Sequence, residues 1–123
     1  MDFIFSEDNK ISVIYKQVNK LPKVISIENS LEAIQKIINS EVTIIPYRNY
    51  LQIVCVKDNL KKGYNINTIF DCACVAGDFI VVGISYGKGR FRTLRKNEIT
   101  ETKIDIKNRS INYDIQKLCD KEM

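Results

Sequence analysis

The residue types that most often carry catalysis and bind metals are scarce in this sequence. Its 123 residues contain no histidine, which excludes Ser-His-Asp catalysis, Cys-His catalysis and metal sites built from histidine. The pair Cys72-x-Cys74 comes nearest to a metal motif, but zinc needs four ligands and only Cys55 and Cys119 remain as cysteines. The pattern therefore favours thiols packed in a core, and it predicts neither a metal nor a cofactor.

Carboxylates are the remaining candidates for catalysis. Asp71 with Asp78, or Glu98 with Glu101, could support acid/base chemistry or hold a magnesium ion. Their spacing matches no specific template, and isolated acidic residues on a small domain are usually solvated. An enzyme that uses carboxylates and a metal is therefore the least favoured of three functional hypotheses.

Positive charge is concentrated in the segment from residue 88 to residue 96. This segment has five basic residues and no acidic one, although the whole chain carries a net charge of only +4. Strand alternation predicts that Arg90 and Arg92 face outward while Phe91 and Leu94 face inward. A row of guanidinium groups suits phosphates or carboxylates. The candidate binding residues of this segment are Lys88, Arg90, Arg92, Arg95 and Lys96.

Two other interpretations of this segment stay open. Basic residues can do no more than keep an edge strand soluble and prevent other strands from adding to it. Gly87-Lys88-Gly89 is followed by neither a third glycine nor a Gly-Lys-Ser/Thr ending, so it indicates a turn between strands and not a phosphate loop.

A second candidate surface is the stretch Tyr47-Arg48-Asn49-Tyr50, which lies between two predicted strands. It predicts an aromatic and basic hairpin tip, and Tyr47, Arg48 and Tyr50 could stack on bases beside the arginine row. Exposed tyrosines are also ordinary near turns.

The elements that position these residues follow from local patterns. β-Branched and aromatic runs predict strands at 11–15, 23–27, 41–45, 51–56, 78–84 and 90–94. A helix is predicted at 30–39, with Asn29 as its cap and Glu32 completing a capping box. The segment 67–76 is ambiguous between a short helix and an irregular strand. A helix start near Asn97 and an apolar stripe at 110–121 predict a helical C-terminal segment.

These elements predict an α+β fold with a mostly antiparallel, twisted sheet of about five to six strands. One helix follows the second strand, and a helical segment closes the chain. With no linker or repeat in 123 residues, we expect a single domain over 1–123. The acidic N-terminal stretch differs from a secretory signal, and no apolar run approaches the ~18 residues of a membrane span, so we expect a cytoplasmic protein without membrane contact.

Several short blocks, taken in order, carry a resemblance to a known family. They are the stretches at 31–38, 41–46, 53–61, 63–67 and 77–83. The sequence resembles a small uncharacterised domain family carried by phages, plasmids and conjugative elements of low-GC Gram-positive bacteria. The resemblance covers about residues 12–98 and leaves 99–123 as a helical C-terminal extension. It implies no settled activity and no catalytic residues.

The resemblance implies a gene on a phage, plasmid or conjugative element. Small proteins of such elements often act on host machinery or host defence. The favoured hypothesis is therefore a non-catalytic interaction protein of a phage or mobile element in the cytoplasm of the bacterial host. It would inhibit host defence, in the manner of anti-CRISPR or anti-restriction proteins, by binding a protein or nucleoprotein. The alternative is a small nucleic-acid or nucleotide binding module that uses the basic strand.

Overall fold

The computed structural model describes residues 10–85 and 90–113. In this part of the chain there are eight strands and two helices, which confirms the predicted α+β class. In chain order they are β1 (Lys10–Lys16), β2 (Lys23–Glu28), α1 (Leu31–Ile38), β3 (Val42–Arg48), β4 (Leu51–Val56), β5 (Ile66–Ile69), β6 (Cys74–Ala76), β7 (Phe79–Ile84), β8 (Phe91–Arg92) and α2 (Lys96–Arg109).

Six of the strands form one antiparallel sheet, as the sequence predicted. Its order is β2-β1-β7-β4-β3, and β8 pairs with the last residues of β7. The centre belongs to β7 because its side chains from Phe79 to Val82 are apolar and fully buried, which only a strand covered on both faces allows. Strands β5 and β6 form a separate hairpin.

Each face of the sheet is covered by a different element. On one face, Ile106 of α2 and Phe70 beside the β5–β6 hairpin pack with Phe79 and Val81 of β7. On the other face, Ile34 of α1 packs in the cluster that contains Ile80. Neighbouring residues of β7 therefore point into opposite layers, since successive side chains of a strand alternate.

The helix α1 lies within the predicted range, but its cap differs. The Ser30 hydroxyl accepts the backbone N–H of Ala33 at 3.1 Å, so Ser30 is the N-cap residue. The prediction that Asn29 caps the helix is wrong: its side chain donates instead to the carbonyl of Phe91, at 3.0 Å. The helix ends at Asn39 in the left-handed conformation, with a φ of 59°.

The structure resolves several boundaries that local patterns left open. Strand β3 continues to Arg48, so the hairpin tip consists of Asn49 and Tyr50 alone. The ambiguous segment 67–76 contributes to the β5–β6 hairpin. The strand predicted at 90–94 is shorter than expected, since β8 covers only Phe91–Arg92, and α2 begins at Lys96.

Two predictions concern residues outside the described ranges. The turn predicted at 87–89 is one, and the part of the apolar stripe beyond residue 113 is the other. Helix α2 begins at Lys96 and therefore starts before that stripe. No helix in the described ranges is long and apolar enough to cross a membrane.

Candidate interaction surface

Most of the sequence-predicted binding residues lie at one end of the main sheet. Leu51 at the start of β4 pairs with Gly83 of β7, and Gly83 in turn pairs with Arg92 of β8. The sequence-predicted binding residues that are exposed around this junction are Arg48, Tyr50, Arg90, Arg95 and Lys96. We call this surface the β8 end. Lys88, the remaining predicted residue, is not among the described residues.

Arg92 does not face outward, and that part of the prediction is wrong. Its guanidinium forms two hydrogen bonds of 2.8 Å with the Glu98 carboxylate, and the two side chains are only 18% and 12% exposed. It lies so close over Gly83 that a Cβ atom there would be 2.6 Å from Nη1 of Arg92. Arg92 is thus a link between β8 and α2.

This link joins the first turn of α2 to the sheet. Glu98 also accepts the backbone N–H of Arg95 at 2.8 Å, which satisfies a donor that a helix start leaves unpaired. The hydrogen bonds from Arg92 and Arg95 hold the pKa of Glu98 below its ordinary value, although its partial burial opposes them.

Tyr47 also turns inward, so it is not part of an aromatic hairpin tip. Its ring packs edge-on against Phe70, with 5.2 Å between the ring centroids, and its hydroxyl donates to the carboxylate of Asp105 in α2. Burial, reinforced by this hydrogen bond to a carboxylate, raises the pKa of Tyr47 well above its ordinary value. Tyr47 therefore stays protonated and holds α2 on β3.

Asp105 belongs to an ion network that the sequence analysis missed. Arg109 donates to Asp105 at 2.7 Å and to both carboxylate oxygens of Asp71 at 2.9 and 3.1 Å. Burial alone would raise the pKa of Asp105, but hydrogen bonds from Tyr47 and Arg109 lower it. The spacing of Asp105 and Arg109, four residues apart on one helix, was the available sequence signal.

Arg48 and Tyr50 keep the exposure that an interaction surface requires. The Arg48 guanidinium lies 4.9 Å from the centroid of the Tyr47 ring, and it reaches Thr102 of α2 at 3.4 Å. The contacts with Tyr47 and Thr102 together place the Arg48 cation beside α2. Tyr50 follows on the hairpin tip with 55% of its surface exposed.

Three of the carboxylates that could have formed a catalytic or metal site have other partners. Asp71 pairs with Arg109, Glu98 pairs with Arg92, and Asp78 accepts hydrogen bonds from Tyr15 and Val18. Within residues 10–85 and 90–113, no three His, Cys, Asp or Glu residues are grouped as metal ligands.

The cysteines only partly follow the expectation of core thiols. Cys55 is fully buried, and burial raises its pKa to about 11. Cys72 is exposed and Cys74 is half-buried, so the expectation was wrong for Cys72. Cys72 lies in the loop between β5 and β6, and the sequence of 67–76 does not indicate this loop because it fits both a short helix and an irregular strand.

Fold and surface together define an α+β protein whose sheet is covered on both faces and which has four exposed cations, Arg48, Arg90, Arg95 and Lys96, at the β8 end. The chain belongs to the family described as "Domain of unknown function (DUF3846)", whose model matches residues 11–107. The match includes α2 up to Lys107 and so reaches beyond the resemblance seen in the sequence. No curated protein and no solved structure matches this chain.

Proposed function

We propose that this protein is a non-catalytic interaction protein that binds an acidic surface of a partner protein through the β8 end. The observation that carries the proposal is the shared position of four exposed cations and one exposed tyrosine. They are Arg48, Arg90, Arg95, Lys96 and Tyr50. Arginine and tyrosine are, together with tryptophan, the residue types enriched among the hot spots of protein interfaces.

The distribution of charge favours a protein partner over duplex nucleic acid. The net charge of the chain is only +4, and the β8 end is a local group of cations at one end of a sheet. A duplex-binding surface instead carries a basic stripe or patch on a strongly basic domain. A compact cationic group is suited to an acidic patch on a protein surface, because complementary charge accelerates and orients the encounter.

The resemblance to proteins of phages and plasmids narrows the partner that we propose. A host defence protein or nucleoprotein of the anti-CRISPR or anti-restriction target type has surfaces that a small cytoplasmic protein can occupy. In this proposal the β8 end blocks such a surface without any chemical reaction. This narrower form rests on the sequence resemblance alone, and the choice of surface rests on the geometry.

Co-purification from a lysate of a low-GC Gram-positive host tests the proposal. The bait is the full chain, compared with the triple variant Arg90→Ala/Arg95→Ala/Lys96→Ala. The control variant is Lys57→Ala/Lys61→Ala/Lys62→Ala, which removes the same charge from exposed residues after β4, at the opposite end of the sheet. We expect the same defined protein to be retained by the wild type and the control but lost from the β8-end variant.

Two results would contradict the proposal. One is equal retention of the partner by both triple variants, which would place the interface elsewhere. The other is that the wild type retains no partner at about 50 mM salt, where screening of surface charges is weak.

Single-stranded nucleic acid is a second candidate partner, and Tyr50 is the observation that favours it. Tyr50 is an exposed aromatic residue two positions from the exposed Arg48, and bases stack on aromatic rings within basic surfaces. Tyr50→Ala should then weaken binding of a single-stranded oligonucleotide by about 1–3 kcal/mol, and the affinity should fall steeply with salt. Oligonucleotide binding that is weakened neither by Tyr50→Ala nor by added salt rules this candidate out.

A further inference from the structure

A cavity of about 300 Å³ lies at the other end of the sheet, remote from the β8 end. The end of β1, the turn that leads to β2 and the chain around the end of α2 form its walls. Lysines contribute from all three segments: Lys16, Lys20 and Lys107. None of the described residues that line the cavity is acidic. Its walls are therefore positively charged.

Lys16 is the unusual member of this group because its side chain is buried. Only 1% of the residue is exposed, although lysine is almost never fully buried without a charged partner. Its ammonium donates to the carbonyl of Gln17 at 2.7 Å and to Oδ1 of Asn67 at 2.8 Å. Both acceptors are uncharged, and together they use two of the three ammonium donors.

A buried polar network fixes the position of this ammonium group. The Asn67 amide nitrogen donates to the carbonyls of Lys16 and Gly77, at 3.1 and 2.9 Å. The Thr68 hydroxyl donates to Asn67 Oδ1 at 3.0 Å and contacts the Ser110 hydroxyl at 3.2 Å. Because Asn67 and Thr68 are fully buried, the network holds Lys16 firmly at the cavity wall.

Within residues 10–85 and 90–113, no carboxylate accepts a hydrogen bond from the Lys16 ammonium. Burying a cation against neutral partners is unfavourable unless an opposite charge compensates it. Asp78 acts on Lys16 electrostatically, but its carboxylate hydrogen-bonds to Tyr15 and Val18. Burial accordingly lowers the pKa of Lys16 to about 8, against the opposing influence of Asp78. Lys20 and Lys107, two further cationic residues, line the same cavity.

We propose that this cavity binds the phosphate group of a small phosphorylated molecule through Lys16, Lys20 and Lys107. Three ammonium groups match the nearly doubly charged phosphate monoester better than a singly charged carboxylate. Leu21, Pro22 and Ile111 provide apolar wall for the remainder of the ligand. A volume near 300 Å³ is at the lower end of ligand pockets, so the ligand is of nucleoside monophosphate size or smaller.

This site is independent of the interaction surface at the β8 end. None of the described residues that line the cavity belongs to the β8 end, so the partner proposal and the phosphate proposal can fail separately. A free metabolite and the 5′ end of a nucleic acid could both supply the phosphate monoester. The experiment must therefore include both sources.

Calorimetric titration of the full chain at pH 7 and low salt tests this proposal. The probes are inorganic phosphate, adenosine monophosphate and a 5′-phosphorylated trinucleotide, with adenosine and the 5′-hydroxyl trinucleotide as uncharged-end controls. We expect the phosphorylated probes to bind and adenosine not to bind. Tighter binding of the phosphorylated trinucleotide than of its 5′-hydroxyl form also supports the proposal and identifies a nucleic-acid end as a source.

The variant Lys20→Ala/Lys107→Ala should lose roughly tenfold or more in affinity for adenosine monophosphate. Both side chains are exposed, so the fold should tolerate their removal. The matched control is Lys36→Ala/Lys61→Ala, which removes the same charge from exposed positions that do not line the cavity. Equal losses in both variants, or no binding of any phosphorylated probe at about 10 mM, would overturn the proposal.

Discussion

At the scale of single residues, Lys16 differs most from what its type predicts. Lys16 ends β1, which lies between the edge strand β2 and the central strand β7. A lysine at such a position normally extends its aliphatic stem so that the ammonium group reaches water. Here the β-strand register places Lys16 opposite Phe79 of the central strand, and the chain around Asn67 covers it. The Lys16 ammonium is held in place by amide and carbonyl oxygens, so folding includes the unfavourable free energy of removing this cation from water.

The cost should be measurable as a pH-dependent difference in stability. The pKa of Lys16 is about 8 in the folded chain, against the ordinary 10.5 expected when unfolded. Between these values the unfolded chain binds more protons, so the Lys16 contribution to the free energy of unfolding rises with pH. Lys16→Met, which keeps the apolar stem, should therefore be more stable than the wild type by about 1–2 kcal/mol at pH 7 in the absence of phosphate.

Urea unfolding at pH 7 and pH 9.5 checks this expectation. The stability difference between Lys16→Met and the wild type should shrink at the higher pH. Titration of Cys55 and Tyr47 does not contribute to this difference, because both proteins contain these residues. Lys20→Met, at an exposed position, should show little difference at either pH. An advantage of the same size at both pH values would mean that the charge of Lys16 is not the cause.

At the scale of elements, α2 is held to the sheet by polar side chains at intervals along its length. Of its fourteen residues only Thr102 and Ile106 are buried. The polar ties are Arg92 to Glu98 in the first turn, Tyr47 to Asp105 in the third, and Asp71 to Arg109 at the end. A helix with so little apolar contact depends on such partners for its orientation.

Removal of the first tie should therefore lower stability and not only binding. Arg92→Ala leaves the partly buried Glu98 without its main partner, and we expect the free energy of unfolding to fall by about 2 kcal/mol. Arg90→Ala removes the same charge from an exposed position two residues away and should change stability by less than about 0.5 kcal/mol. Thermal or urea unfolding of both variants provides the comparison.

If Arg92→Ala is as stable as the wild type and weakens partner capture as much as the β8-end triple variant does, Arg92 is a binding residue after all. The assignment of a structural role to the Arg92–Glu98 ion pair would then be wrong, and the sequence-based prediction of Arg92 as a binding residue would be right.

At the scale of the whole molecule, exposed or cavity-lining cations are gathered at two opposite ends of one sheet. Strand β1 runs between the ends, from Lys10 to Lys16. At about 3.3 Å per residue it spans roughly 20 Å. This exceeds the Debye length of about 8–10 Å at 0.1–0.15 M ionic strength. The two surfaces should therefore act electrostatically as separate sites.

This separation predicts that the two proposed ligands bind independently. Saturation with adenosine monophosphate at 0.15 M salt should leave capture of the partner by the β8 end unchanged. Likewise, Arg90→Ala/Arg95→Ala/Lys96→Ala should bind adenosine monophosphate with wild-type affinity in a calorimetric titration. Competition between the two, or a loss of phosphate affinity in the triple variant, would show that they share one site.

Local patterns along the chain are enough to predict the fold class and most of the elements. Strands β1, β2, β4 and β7 and the helix α1 could be predicted because apolar periodicity and capping signals are local along the chain. The absence of histidine and the gathering of charge in residues 88–96 are also properties of sequence alone. The family to which the chain belongs was visible in several of the same blocks, although the family model reaches further, to residue 107.

Which polar side chains are available to a ligand depends on contacts that form only in the folded chain. Arg92 and Tyr47 read as surface residues in the sequence, but each has a carboxylate partner, and that of Tyr47 lies 58 positions away. Lys16 is held by Asn67, 51 positions away, and so became a cavity residue that no local pattern marks. The physical reason is that exposure and pairing depend on contacts between distant segments, and strand periodicity specifies a face of the sheet but not what covers it.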